Sequence, residues 1–338
     1  MKILDTRWLG HHGIGRFAAE LRGRLAGFQP IGLRGRPSSP ADPWRLQAYL
    51  RTLPADLFFS PGYNAPVHAT CAFAFCVHDL NHLQVSDNST PLKRMYYEQL
   101  IKPAVRRAAV VFTVSEFSRA AIAEWAGVKE NDIVNVGNGI SAPFIAEGPR
   151  ATLPQPYFLY VGNHRPHKNF TRLLQAFAQS GLKDDYLLVS TGEGTRELHT
   201  EIHRLGLRER VRFRGLVPDE DLAALYRGAT ALVLVSLYEG FGLPIIEAMS
   251  CGAAVLTSAT AAMPETAGGA ALLVDPRRTE AIAAGLRQLA FDADLQRQLQ
   301  SRGLERSREF SWDETARKVQ QALERIGHST KEQACAWH

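Results

Sequence analysis

Along this chain, short runs of apolar, β-branched or aromatic residues alternate with longer stretches in which apolar positions recur every three or four residues. The first half opens on a short strand at Ile3–Leu4. A glycine turn at Gly13 and Gly15 then leads into a helix over Arg16–Leu25. Apolar segments at Asp56–Phe59, Ala72–Val77 and Val110–Val114 predict strands, and a long helix over Leu92–Ala108 precedes the last of them. Ser115 stands as the N-cap of a helix beginning at Glu116. Asn138 to Pro156 is rich in Gly and Pro and reads as a domain boundary. A second series follows, with strands at Tyr157–Val161, Tyr186–Ser190, Val211–Phe213, Ala231–Val235, Ala254–Leu256 and Leu272–Val274, and a helix over Phe170–Gln179. Runs so continuously apolar belong to strands covered on both faces, as in a parallel sheet. After Phe310, Ser311 and Glu314 form a capping box. Val319, Leu323 and Ile326 give the last helix its apolar side, and fraying is expected from Gly327.

The pattern therefore predicts an α/β protein made of two doubly wound, Rossmann-like halves, with the ligand crevice outside the carboxyl ends of the strands. The expected division is 1–150, 151–310 and a helix at 311–327 that crosses back to the first domain. A length of 338 residues, 45% apolar and 22% charged, suits two soluble domains. No apolar run approaches the roughly 18 residues of a membrane span, and the N-terminus lacks the apolar stretch of a secretory signal. A cytoplasmic protein is expected. Cys71, Cys76, Cys251 and Cys335 show neither metal spacing nor a disulfide framework, so reduced thiols are expected.

Charge refines this picture. Residues 1–150 carry 17 Lys+Arg against 12 Asp+Glu, whereas residues 151–338 carry 22 of each. Arg16, Arg22, Arg24, Arg34, Arg36, Arg45 and Arg51 concentrate the excess, and such a field attracts anionic partners. Without an aromatic-interleaved basic stripe, zinc finger or recognition helix, nucleic acid is not among the expected partners.

The sharpest chemistry lies at Leu237-Tyr238-Glu239-Gly240-Phe241-Gly242-Leu243-Pro244-Ile245-Ile246-Glu247, directly after the strand Ala231–Val235. Gly240 and Gly242 allow a tight turn and close approach to a ligand. Pro244 suits the first helical position and Gly252 the helix end, so free N–H groups would point at a diphosphate. His78, placed after Ala72–Val77, falls at a carboxyl strand end, where Asp79 is expected to orient it through a ring N–H. Gly13 and Gly15 lack the full G-x-G-x-x-G spacing, with Ala18 at its last position. No metal cluster is visible in the sequence, so neither metal nor other cofactor is expected.

Glu239 to Glu247 resembles the E-x7-E motif of retaining glycosyltransferases with the GT-B fold, most similar to family 4. The resemblance extends through Gly13-Ile14-Gly15-Arg16, Val77-His78-Asp79, Thr113-Val114-Ser115-Glu116-Phe117-Ser118, Asn138-Gly139-Ile140 and Val161-Gly162-Asn163-His164-Arg165-Pro166-His167-Lys168-Asn169. It implies two Rossmann-like domains facing each other across a cleft, and a nucleotide diphosphate sugar as donor. By this likeness Glu239 holds hydroxyls of the transferred sugar and Glu247 the donor ribose. Phe241, Gly242 and Leu243 offer backbone N–H groups, and Lys168 neutralises the diphosphate near Gly162. Relatives often carry Arg where this chain has Asn163 or His167, so Arg165 becomes the expected second cation. His78 is expected to contact the donor sugar, Gly13 and Gly15 to approach the diphosphate or the acceptor, and Leu216 to pack on the base.

The family also implies front-face attack by the acceptor hydroxyl with retention. The chain looks most like bacterial O-antigen and exopolysaccharide enzymes, many of which use GDP-mannose. The basic first half fits a saccharide or polyprenyl-diphosphate-linked acceptor, with peripheral contact at the inner membrane. A same-fold nucleotide-sugar epimerase and a non-catalytic donor-binding or scaffold subunit are the competing readings.

Overall fold

Six short parallel strands build the first sheet of the computed structural model, which describes residues 1–10, 12–85 and 89–335, with side chains through Ile326. They are β1 (Lys2–Leu4), β2 (Phe28–Pro30), β3 (Leu57–Ser60), β4 (Ala72–Cys76), β5 (Val110–Thr113) and β6 (Ile133–Asn135), in the order β2-β1-β3-β4-β5-β6. The second sheet holds β7 (Tyr157–Tyr160), β8 (Leu187–Ser190), β9 (Val211–Phe213), β10 (Ala231–Leu234), β11 (Ala254–Ser258) and β12 (Leu272–Val274), in the order β12-β11-β10-β7-β8-β9. Every strand pairing is parallel, in keeping with the apolar runs: all residues of β7, β8, β10 and β11 are buried. Alternation along β7 sends Tyr157 and Leu159 into one core and Phe158 and Tyr160 into the other, so helices must cover both faces.

The chain divides into a first unit, Met1–Gly139 with the helix Trp312–Cys335, and a second unit, Ile140–Phe310. Residues 140–150 fall in the second unit because Phe144 is fully buried in its core against Tyr226. Trp312 is buried in the first unit, where its ring meets Phe17 and its backbone lies against Gly139. The expected fraying from Gly327 falls on residues whose side chains lie outside those described; the helix itself runs to Cys335.

Local chemistry revises several expectations. Gly13 and Gly15 do not form a turn before the helix; they are its first residues, Gly13–Arg22. His12 caps it by accepting the Gly15 N–H on Nδ1 at 2.9 Å. A Cβ at Gly15 would overlap the Gly10 backbone, so closeness rather than an unusual φ requires this glycine. Gly15→Ala is expected to cost about 1–3 kcal/mol by overpacking, read as a lowered urea midpoint. The predicted helix Leu92–Ala108 is interrupted by a π turn at Tyr97–Ile101, between Pro91–Tyr96 and Lys102–Arg107. The ring of Pro103 would clash with the carbonyl of residue 99 in a regular α-helix, and the wider turn relieves that clash.

Candidate active site

β7 and β10 lie side by side at the centre of the second sheet, yet the chain proceeds from them in opposite directions. Such a switch point leaves a crevice at the carboxyl ends, because successive helices cover opposite faces. The two loops leaving these strands carry the motifs singled out in the sequence.

After β7, Gly162 turns with φ 151° and donates its N–H to Thr191 Oγ1 at 3.0 Å. Residues Pro166–Lys168 form one 3-10 turn, and Asn169 takes the left-handed conformation at φ 61°. The buried Asn169 amide bonds the carbonyls of Val235, at 3.0 Å, and Pro276, at 2.7 Å. Leu237 N–H donates to His167 O at 2.7 Å, joining the two loops through the backbone as well. Lys168 Nζ reaches Glu239 Oε1 at 2.6 Å, and Ser236 Oγ donates to the same oxygen at 2.6 Å. The side chains of this ion pair are 17% and 13% exposed, accessible but largely shielded from water. Attraction between the two charges is therefore stronger than on an open surface. Arg165 is exposed and its guanidinium has no carboxylate partner among the described residues.

After β10, Gly242 adopts φ 96° as the cap of the helix Leu243–Ser250. Pro244 is the second helical residue, not the first as expected, because Leu243 already has helical geometry; either position spares a hydrogen bond. The Phe241 ring is buried edge-on against Phe310 at 5.7 Å, and its carbonyl accepts from Thr266 Oγ1 at 2.7 Å. Its N–H and those of Gly242 and Leu243 belong to the stretch that opens the helix. Glu247 is 4% exposed and receives a hydrogen bond from the Tyr226 hydroxyl at 3.0 Å. Leu216 is 78% exposed, beside the bridge in which Gly192 and Gly215 exchange backbone bonds.

His164, quoted above within Val161–Asn169, has no role assigned to it from sequence. Nε2 lies 2.8 Å from Ser190 Oγ and Nδ1 3.1 Å from Glu193 O, while the ring stacks on Tyr160. Burial lowers its pKa, opposed by the Glu193 carbonyl bond, so a histidine beside Arg165 braces the loops after β7 and β8 instead of adding charge.

His78 belongs to the first unit, at the carboxyl end of β4. Nε2 donates to the Pro61 carbonyl at 2.8 Å, while the Asp79 carboxylate accepts the Asn81 N–H at 2.9 Å. The ring is thus held by Pro61 rather than by Asp79 as expected, since Asp79 closes its own turn. Burial pushes the His78 pKa down to about 4, against the Pro61 bond and helped by nearby His12. A histidine depressed below its unfolded pKa of about 6.5 adds no penalty above that value. As pH falls from there toward about 4, the unfolded chain takes up the proton first and stability is lost. His78→Gln is expected to flatten this acid limb in urea titrations at pH 4.5–7.

A buried polar centre near β1 also escaped the sequence reading. Arg7 donates to Asp5 Oδ1 and Oδ2, at 2.8 Å each, and to Asp42 Oδ1 and Oδ2 at 2.7 and 3.0 Å. Asn64 bonds both carboxylates at 3.0 Å and accepts from Trp8 Nε1 and Ser60 Oγ, each at 2.6 Å. Burial opposes the Arg7 charge, but the bonds from Asp5 and Asp42 prevail and its pKa is raised. This centre fixes the segment from Ser60 to Asn64, which includes the Pro61 carbonyl on His78.

Cys71, Cys76 and Cys251 are free thiols, each with its pKa raised by burial, that of Cys251 to about 12. Among the described residues no group of three or more His, Cys, Asp or Glu is arranged to hold a metal. No helix among them is long and apolar enough to cross a membrane.

Two doubly wound parallel units, the second with a cationic loop and a helix start at its switch point, fit the GT-B fold. Residues 9–139 match the model of the glycosyl transferase 4-like domain, and residues 144–306 that of glycosyl transferases group 1. The O-antigen chain mannosyltransferase B of Escherichia coli is 32% identical over 295 residues, covering 80% of this chain and 74% of that protein. A serotype-specific mannosyltransferase WbdA of the same species is 28% identical across 84% of this chain, which spans 36% of that longer protein. Anabaena Alr3699/HepE, solved in complex with UDP-glucose, superposes with a TM-score of 0.75 at 17% identity, covering 97% of this chain and 99% of that one. The chain belongs to the family 4-like, group 1 glycosyltransferases.

Proposed function

We propose that the protein transfers a hexose, preferentially mannose from GDP-mannose, to a saccharide or polyprenyl-diphosphate-linked acceptor in cell-surface polysaccharide synthesis, with retention of configuration. The observation that carries this reading is the Lys168–Glu239 pair at the β7/β10 switch point, beside the N-terminus of Leu243–Ser250. It joins the cation suited to a departing diphosphate to a carboxylate suited to sugar hydroxyls. The mannosyltransferase names of the relatives support the sugar and the pathway.

In this mechanism Lys168 and Arg165 take the diphosphate with the N–H groups of Phe241, Gly242 and Leu243, near Gly162. Charge developing on the leaving group then meets donors already in place. Glu239 exchanges its bond to Lys168 for sugar hydroxyls. Glu247, held by Tyr226, binds the ribose, and Leu216 covers the base. The bond from the anomeric carbon to the diphosphate oxygen breaks as the acceptor hydroxyl attacks on the same face, and that phosphate oxygen takes the hydroxyl proton. His78 contacts the transferred sugar, and Gly13 and Gly15 approach the diphosphate or the acceptor with their backbone. The excess of Lys and Arg in residues 1–150 supports peripheral placement on the inner membrane face.

A panel of GDP, UDP and ADP tests the reading. A ligand bound only by the folded state stabilises it by about 2.7 kcal/mol at a hundredfold excess over Kd. GDP is expected to raise the unfolding temperature most, and GDP-mannose to be consumed only when acceptor is present. If none of the three nucleotides stabilises the protein, the donor site is misassigned; turnover of the donor without acceptor would identify an epimerase or hydrolase instead.

A further inference from the structure

Behind the turn that opens the helix Leu243–Ser250 runs a series of bonds from a distant segment. The Phe241 carbonyl accepts from Thr266 Oγ1 at 2.7 Å, across 25 residues of sequence. Thr266 is 1% exposed and belongs to the short helix Met263–Ala267. A helical threonine commonly turns its hydroxyl back on the carbonyl four residues earlier. Here the hydroxyl leaves its helix and spends its single proton on Phe241, because a carbonyl oxygen can only accept. It is the one donor to that carbonyl among the described residues.

That bond sets the direction of the next N–H. In a planar trans peptide the carbonyl and the following N–H point opposite ways. With the Phe241 oxygen held toward Thr266, the Gly242 N–H is aimed away from it. Gly242 is buried, and its carbonyl takes the Ile245 N–H at 2.9 Å, but its own N–H meets no acceptor among the described residues. A buried backbone donor is seldom left unpaired, so this one suits a ligand oxygen. Thr266 is itself secured. Arg306 donates from Nε to the Thr266 carbonyl at 3.2 Å and from Nη2 to the Glu265 carbonyl at 2.8 Å, satisfying carbonyls that the end of a short helix leaves open. Its guanidinium also lies 4.8 Å over the ring of Phe310, which meets the Phe241 ring edge-on. Phe241 is thus held twice, by its carbonyl and by its ring.

We propose that Thr266 is a positioning residue that aims the Gly242 N–H at the donor diphosphate. It acts through one peptide plane and not by touching the substrate. Without the hydroxyl nothing holds the Phe241 carbonyl, and the plane turns with the N–H on its other side. Charge developing on the diphosphate then meets a donor that is no longer in place beforehand. The inference rests on the assignment of that N–H to the diphosphate under the proposed function, and it adds the residue that sets its direction.

The test is titration of the full chain with GDP and with guanosine, which lacks the diphosphate. Thr266→Val keeps the branched shape without the hydroxyl and is expected to weaken GDP binding by about tenfold, the scale of one neutral hydrogen bond. Guanosine binding should be unchanged, which also reports that the variant is folded. Thr266→Ala, equally without a hydroxyl, should match Thr266→Val, whereas Thr266→Ser should restore most of the lost affinity. Turnover should slow as well, because the contact tightens as charge develops. Undiminished GDP binding by Thr266→Val and Thr266→Ala overturns the proposal. So does an equal loss for GDP and guanosine, or a loss in Thr266→Ser as large as in Thr266→Val, since either outcome marks a packing role. If the unaltered chain binds GDP no more tightly than guanosine, the diphosphate assignment falls and this inference with it. If it does prefer GDP, and Thr266→Val keeps the same preference, the inference alone falls.

Discussion

Lys168→Ala is expected to lower kcat/KM for sugar transfer by about 10²- to 10³-fold, the range seen when one preorganised donor to a developing anion is removed. Two effects act together. The diphosphate loses its shielded cation, and Glu239 is left with Ser236 as its remaining donor of the pair that met Oε1. A carboxylate no longer balanced by Lys168 then repels the diphosphate. Because the residues touch at 2.6 Å, their losses cannot be additive. The double variant Lys168→Ala/Glu239→Gln should bind GDP more tightly than Lys168→Ala alone, while transferring no faster. Steady-state kinetics and nucleotide titration of the four proteins measure this coupling. A Lys168→Ala enzyme within tenfold of the original kcat/KM would remove Lys168 from the diphosphate.

The largest effect on stability is expected from Arg7→Met, about 3–5 kcal/mol at pH 7, because it strands two carboxylates that are fully buried. Methionine fills much of the arginine stem, so the loss is chiefly electrostatic. Asp5 and Asp42 would then lie together at a fully buried site with no cation between them. Urea unfolding at pH 7 checks the magnitude; a loss no larger than that of an exposed pair, about 1 kcal/mol, would contradict this account. Activity should fall as well, because Asn64 bonds both carboxylates and the same segment carries the Pro61 carbonyl on His78.

The strands and loop motifs were legible because their causes are local. Fully apolar segments such as Tyr157–Tyr160 and Ala231–Leu234 can only be satisfied between two layers, and the parallel sheet follows. Ser115 capped the predicted helix as expected, accepting the Ser118 N–H at 3.0 Å. The short edge strand β2 and the helix Asp42–Leu50 were not recognised, since Phe28–Pro30 has two exposed residues and residues 42–50 show a weak apolar period. Gly15 was misread for another reason: a tight approach to Gly10 looks in sequence like a turn.

The amino-acid order by itself determined the class of fold, the two doubly wound halves and the family. It also named Lys168, Glu239 and Glu247 as residues of interest, because alternation, helix starts and motif spacing are properties of neighbouring residues. Tertiary structure decided which groups meet. It paired Lys168 with Glu239 across 71 residues, set Tyr226 on Glu247, gave His78 to Pro61, and buried Arg7 between Asp5 and Asp42. Those partnerships depend on strand order and on side chains buried together from distant segments, and no local pattern encodes the distance between two atoms that only the folded sheet brings into contact.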